Sequence, residues 1–108
     1  MKLSPSLRIK LPQQEIADFC QQWKVQEMSF FGSVLRDDFR PDSDIDVMVD
    51  FEDDATWGIL ELVRMKRQLK TLLGREVDLL TKKSIEQSHN RIRQQEILGT
   101  AQVIYVAG

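Results

Sequence analysis

From Pro12 onward the apolar positions fall into alternating helix-like and strand-like stretches. Ile16, Phe19, Cys20 and Trp23 recur at i, i+3, i+4 and i+7, which predicts one buried helix face. Pro12 suits a first helical position, where its missing N–H costs nothing. The run from Met28 to Gly32 predicts a short strand that stops at Gly32-Ser33. Val34 to Ser43 is polar and charged, with Pro41 inside it, and reads as loop or an irregular turn. Asp44 to Phe51 then alternates. Ile45, Val47 and Val49 point one way, and Asp44, Asp46, Met48 and Asp50 the other, which predicts a strand with one buried face.

Ile59, Leu62, Val63, Met65, Leu69, Leu72 and Leu73 predict the apolar face of a second helix, Ile59 to Leu73. Gly74 supplies a residue that adopts a left-handed conformation just past its end. Glu76 to Thr81 reads as a third strand. Ser84 with Gln87 fits a capping box for a last helix running through Arg91, Ile92 and Ile97 and ending near Gly99. Val103 to Val106 fits either a final strand or the tail of that helix. The order implies an α/β (α+β) domain with a short mixed β-sheet flanked by helices. No linker or repeat divides the chain, so residues 1–108 are expected to form a single domain with residues 1–11 as an N-terminal arm.

Composition narrows the chemistry. A chain of 108 residues, 42% apolar, supports one small core. Fifteen Lys and Arg against 17 Asp and Glu give a net charge of −2, so no direct stable nucleic-acid binding is expected from overall charge. One cysteine, Cys20, and one histidine, His89, make neither an internal disulfide nor a Cys/His zinc site. Cys20 lies on the apolar helix face and reads as core; His89 reads as a helix surface residue. No apolar run approaches the roughly 20 residues of a membrane span. Met1 to Pro12 lacks the apolar centre of a signal peptide, which makes a cytoplasmic location the expectation. Any chemistry must come mainly from carboxylates and hydroxyls.

The sharpest local feature is Ser43-Asp44-Ile45-Asp46. Strand residues two apart share a face, so Asp44 and Asp46 present two like charges where β-propensity disfavours them. A hard divalent cation such as Mg²⁺ or Mn²⁺ would relieve that repulsion; a turn cap at Asp44 is the plain alternative. Asp78 interrupts an apolar strand, where a buried charge needs a metal or a partner such as Lys82 or Lys83. If its strand lies beside Asp44 to Phe51, three carboxylates converge. Gly32 follows a strand directly and lets a phosphate approach the backbone, with the Ser33 hydroxyl beside it. Arg36 could pair with that phosphate or with Asp37 or Asp38. Asp42, Asp44 and Asp46 imitate an EF-hand opening, but Val47 and Asp53 stand where glycine and glutamate are required. Neither a Walker A motif nor GxGxxG is present.

Gly32-Ser33, ten intervening residues, then Asp44-Ile45-Asp46 resembles the GS–x10–DxD signature of the polymerase β-like nucleotidyltransferases. Phe31 to Arg36 with Ser43 to Val47 looks like the minimal nucleotidyltransferase (MNT) branch. Glu76 to Leu80 matches the strand that carries the family's third carboxylate. The tail from Ile92 to Tyr105 is also similar. Asp37 departs from the family, where many members have glycine.

The resemblance implies transfer of a nucleoside monophosphate, AMP from ATP, to a hydroxyl. Asp44, Asp46 and Asp78 would be catalytic and hold two Mg²⁺ ions, with Asp78 also orienting or deprotonating the acceptor. Gly32, Ser33, Arg36 and Ser43 would bind the nucleotide. It further implies an antitoxin whose acceptor is a tyrosine of a cognate HEPN ribonuclease toxin encoded beside it. Two other functions stay open at this point: a non-catalytic antitoxin that neutralises by stoichiometric contact, and a nucleotidyltransferase acting on a small molecule or RNA end. The shortness of the chain suggests a partner or a second subunit, in a homo- or hetero-oligomer. Leu3, Leu7, Ile9, Leu11, Trp57 and Tyr105 are candidate contacts, with ordinary packing favoured for each. The basic groups from Arg64 to Arg75, at Lys82-Lys83 and from Arg91 to Arg93 could steer ATP or an RNA-bound partner, but read mainly as solvated helix faces.

Overall fold

A computed structural model describes residues 11–32 and 44–107. The elements are α1 (Gln13–Gln22), β1 (Val25–Phe31), β2 (Ile45–Phe51), α2 (Ile59–Leu73), β3 (Val77–Thr81), α3 (Lys82–Glu86), α4 (Arg91–Thr100) and β4 (Gln102–Val106). The strands form a mixed sheet in the order β3-β2-β1-β4. β1 runs antiparallel to both β2 and β4. β2 and β3 are parallel, with α2 as the crossover that parallel strands require.

The alternation in β2 decides which face is sealed. Ile45, Val47 and Val49 are fully buried and pack with Ile16, Phe19 and Cys20 of α1 and Met65 and Leu69 of α2. Burial of Cys20 pushes its thiol up to about 12, so it stays protonated. A smaller cluster of Phe31, Met48, Ile85 and Ile97 also forms, with Leu80 packed against it. Trp57 donates its indole N–H to the Trp23 carbonyl at 2.7 Å, and the two rings stack edge to face with centroids 5.2 Å apart. Leu11 is buried in the main core, and Trp57 and Tyr105 pack against it, so packing accounts for these three. Leu3, Leu7 and Ile9 lie outside the described residues.

Several boundaries differ from the sequence expectation. β1 begins at Val25, not Met28. Lys24, at φ +54°, turns the chain out of α1, and Gln26 and Glu27 join the sheet through a register shift. The capping box at Ser84 does not form. Thr81 caps instead, its hydroxyl accepting from the Ser84 N–H at 3.1 Å, and α3 ends at Glu86. Asn90 starts a separate helix, its side-chain oxygen accepting from the Arg93 N–H at 3.1 Å. His89 therefore sits between two helices, exposed, and not on one. Gly99 lies inside α4, which ends at Thr100. Val103 to Val106 belongs to a strand, because β4 finds ladder partners on β1. Ile59 and Val63 do not join the buried face of α2; they are 79% and 42% exposed. No helix among the described residues is long and apolar enough to cross a membrane.

Candidate active site

The sheet brings the acidic positions to one end. In the parallel ladder Asp46 of β2 is the direct partner of Asp78 of β3, and neighbours in register share a face with backbones about 4.8 Å apart. The strand adjacency inferred from chain order is therefore present. Asp44 immediately precedes β2, two residues before Asp46. The Ile45 N–H donates to the Glu76 carbonyl at 2.9 Å, which ties the entrance of β2 to that of β3.

Gly32 closes the other side. It follows β1, whose last residue, Phe31, pairs with Asp46. Its φ is +77°, a conformation L side chains avoid. A Cβ placed there would overlap Asp46 Oδ2 and lie 3.1 Å from Asp46 Cγ. Glycine is thus needed twice, for the turn and for the carboxylate that occupies its side-chain space.

Phe31, Gly32 and Asp46 line a cavity of about 180 Å³ together with Arg93, Glu96, Ile97 and Thr100 of α4. Sequence reasoning did not select the α4 residues. Their spacing of i, i+3, i+4 and i+7 marks one helix face, and that was the signal available: a mostly polar stripe where a core stripe is usual. Arg93 instead reads from sequence as one of a run of surface bases.

Asp78 is exposed, so the expectation of a costly buried charge on that strand does not hold. Lys82, a proposed partner, instead faces Glu27 at 3.9 Å. Asp44 is exposed and Asp46 half-buried. Among the described residues no three acidic, His or Cys side chains stand close enough together to hold a metal ion. Ser33, Arg36 and Ser43 lie outside the described residues.

The nucleotidyltransferase domain family matches residues 14–98. The chain belongs to that family. A Methanocaldococcus jannaschii protein with the provisional name protein adenylyltransferase MJ0435 is 44% identical over 61 residues, covering 56% of this chain and 63% of that protein. Protein adenylyltransferase MntA of Thermococcus cleftensis is 36% identical over 66 residues, covering 61% of this chain and 65% of its own. The chain thus spans less than two thirds of the length of these relatives.

Among solved structures, one provisionally described as a minimal nucleotidyltransferase is 30% identical, with a TM-score of 0.64, covering 83% of this chain and 86% of that one. A toxin–antitoxin with AMP-PNP has a TM-score of 0.69 at 21% identity, covering 90% and 75%. A tri-AMPylated Shewanella oneidensis HEPN toxin in complex with MNT antitoxin has 0.61 at 21%, covering 88% and 70%. The last two show the shared fold.

Proposed function

We propose that this protein is a Mg²⁺-dependent nucleotidyltransferase that moves AMP from ATP to a tyrosine hydroxyl of a cognate HEPN ribonuclease toxin, and so acts as its antitoxin in the cytoplasm. The observation that carries the reading is the pairing of Asp46 with Asp78 beside Gly32, in a chain of the nucleotidyltransferase domain family. The names of the matched relatives support the protein-adenylylating form. The AMP-PNP and AMPylated HEPN complexes support the nucleotide and the partner.

The donor set fits the ions by chemistry, since Asp44, Asp46 and Asp78 offer only the hard carboxylate oxygens that Mg²⁺ prefers. Asp44 and Asp78 are exposed, so neither side chain is locked by packing away from an ion beside Asp46. When bound, the two ions supply charge neutralisation at the attacking and leaving oxygens of an in-line displacement.

The chain's own groups do the rest. The Gly32 backbone lets the triphosphate approach closely, with Ser33, Arg36 and Ser43 contributing from the following segment. Asp78 orients the acceptor hydroxyl and takes its proton. The acceptor oxygen then bonds to the α-phosphorus as the bond to pyrophosphate breaks. Catalysis is mainly positioning and electrostatics.

The test is label transfer from α-labelled ATP to the toxin encoded beside the gene, with Mg²⁺ present. Transfer by wild type and none by Asp44→Ala/Asp46→Ala is expected. Equal transfer by that variant, or none by wild type, overturns the enzymatic reading. Toxin neutralisation that survives loss of both carboxylates identifies a stoichiometric binder instead.

A further inference from the structure

We propose that Arg93 is a triphosphate-binding residue of the site, supplied from outside the glycine–serine and aspartate motifs. The inference rests on the nucleotidyltransferase reading above and adds a residue to it. Arg93 stands in the first turn of α4, whose N-terminus Asn90 caps. It lines the same cavity of about 180 Å³ as Gly32 and Asp46. That volume is an order of magnitude more than the roughly 10–15 Å³ one water needs, so a chain of phosphoryl groups has room there.

Charge makes the assignment specific. The other ionisable side chains on this cavity are Asp46 and Glu96, both acidic. An ionised carboxylate only accepts hydrogen bonds, so neither can donate to the oxygens of a nucleotide tail. Arg93 is the basic residue among the described ones that line it, and its planar guanidinium presents paired donors that match phosphate oxygens. No ion pair engages Arg93 among the described residues, and it is exposed, so it carries no evident structural duty.

Its position is fixed from both sides. Ile97, one turn further along the same helix face, is buried with Phe31 and Met48 and anchors α4 against the sheet. The Gln94 side chain donates to the Glu86 carbonyl at 2.7 Å and ties the first turn of α4 to α3. The helix thereby fixes the Arg93 backbone beside the cavity.

The experiment is calorimetric binding of Mg·ATP, AMP and inorganic tripolyphosphate to wild type, Arg93→Ala and Arg93→Lys, alongside the KM for ATP in the transfer assay. Arg93→Ala should weaken ATP and tripolyphosphate binding about tenfold or more, the usual scale for a charged hydrogen-bonding group. AMP binding should change less than about twofold on the same scale, and the melting temperature should stay at the wild-type value. Arg93→Lys should recover part of the loss, since it keeps the charge without the fork. KM for ATP should rise with kcat largely kept. Wild-type ATP affinity and KM in Arg93→Ala overturn the inference and leave the transfer reading standing. Loss of AMP and ATP binding in equal proportion also overturns it. Absence of ATP binding by wild type overturns both; absence of transfer with the expected binding pattern overturns only the transfer reading.

Discussion

The two faces of one sheet make the most instructive contrast in this molecule. On the first, Ile45, Val47 and Val49 of β2 are sealed under α1 and α2 within a core that also takes in Met28, Phe30 and Ile104. On the second, Met48 of the same strand joins a small cluster with Phe31, Ile85 and Ile97, and Asp46 lines the cavity beside it. The first face carries most of the buried apolar area and so most of the hydrophobic stabilisation. Among the described residues the second is covered by α3 and α4, and Asp78 is exposed. A single alternating strand thus assigns stability to one side and chemistry to the other. Each can be perturbed with little effect on its counterpart.

The largest effect should come from comparing the two clusters directly. Leu69→Ala in the main core is expected to cost about 2–5 kcal/mol, as buried large-to-small changes do. Ile97→Ala on the second face should cost about 2 kcal/mol, at the low end of that range, because the smaller cluster can relax into the space. Urea unfolding of both variants checks this; an equal or greater loss for Ile97→Ala would break the assignment of stability to the first face. The next effect is at the site. Gly32→Ala should lose about 1–2 kcal/mol for forcing a left-handed backbone, yet reduce AMP transfer on the order of 100-fold by displacing the Asp46 carboxylate. Parallel unfolding and label-transfer measurements separate the two, and full activity in that variant would remove the steric argument.

The smallest effect belongs to neither face. Lys24 and Asp54 form an exposed ion pair at 2.9 Å. The Lys24 hydrogen bond and charge hold the Asp54 carboxyl below its ordinary value, and Asp54 likewise raises Lys24. A depressed carboxylate pKa adds stability above about pH 4 and loses it as pH falls through the folded value; a raised lysine pKa adds stability below about pH 10 and loses it as pH rises. Asp54→Asn should therefore differ slightly from wild type between those limits and converge with it in acid. Denaturation midpoints followed from pH 7 downward read this, and a difference that does not shrink as pH falls below about 4 would count against it.

Much of this arrangement was legible in the sequence where periodicity was strict. β2 alternates except at Met48, which is buried on the second face, and its main buried face follows from the sequence. The Asp46–Asp78 neighbourhood followed from strand order, and the glycine–serine and DxD spacing pointed to the family. Elements with mixed signals were less readable. Gln26 and Glu27 hid the start of β1, because polar residues on a strand paired on both sides look like a turn. Thr81 ends a strand and caps a helix at once, so Ser84 drew the capping assignment three residues late. The polar run Ser88-His89-Asn90 separates two helices that share one apolar rhythm. Val103 to Val106 is too short for periodicity to decide, and only its pairing with β1 fixes it. Ile59 and Val63 fit the helical repeat of α2 yet face outward, since the sheet accepts only a narrow stripe. Arg93 falls in the family-like tail, but its place at the cavity comes from which face of α4 meets the sheet.

The strand order has a consequence for how firmly the carboxylates are tethered. β2 is bonded on both sides, by β1 and β3, whereas among the described residues β3 is an edge strand bonded only to β2. Asp46 is thus fixed to backbone that opens only when the sheet itself comes apart, while Asp78 rides on a margin that can fray locally. The pair is built from one stationary member and one compliant member. The compliant one is the residue that the proposed reaction assigns to the incoming hydroxyl.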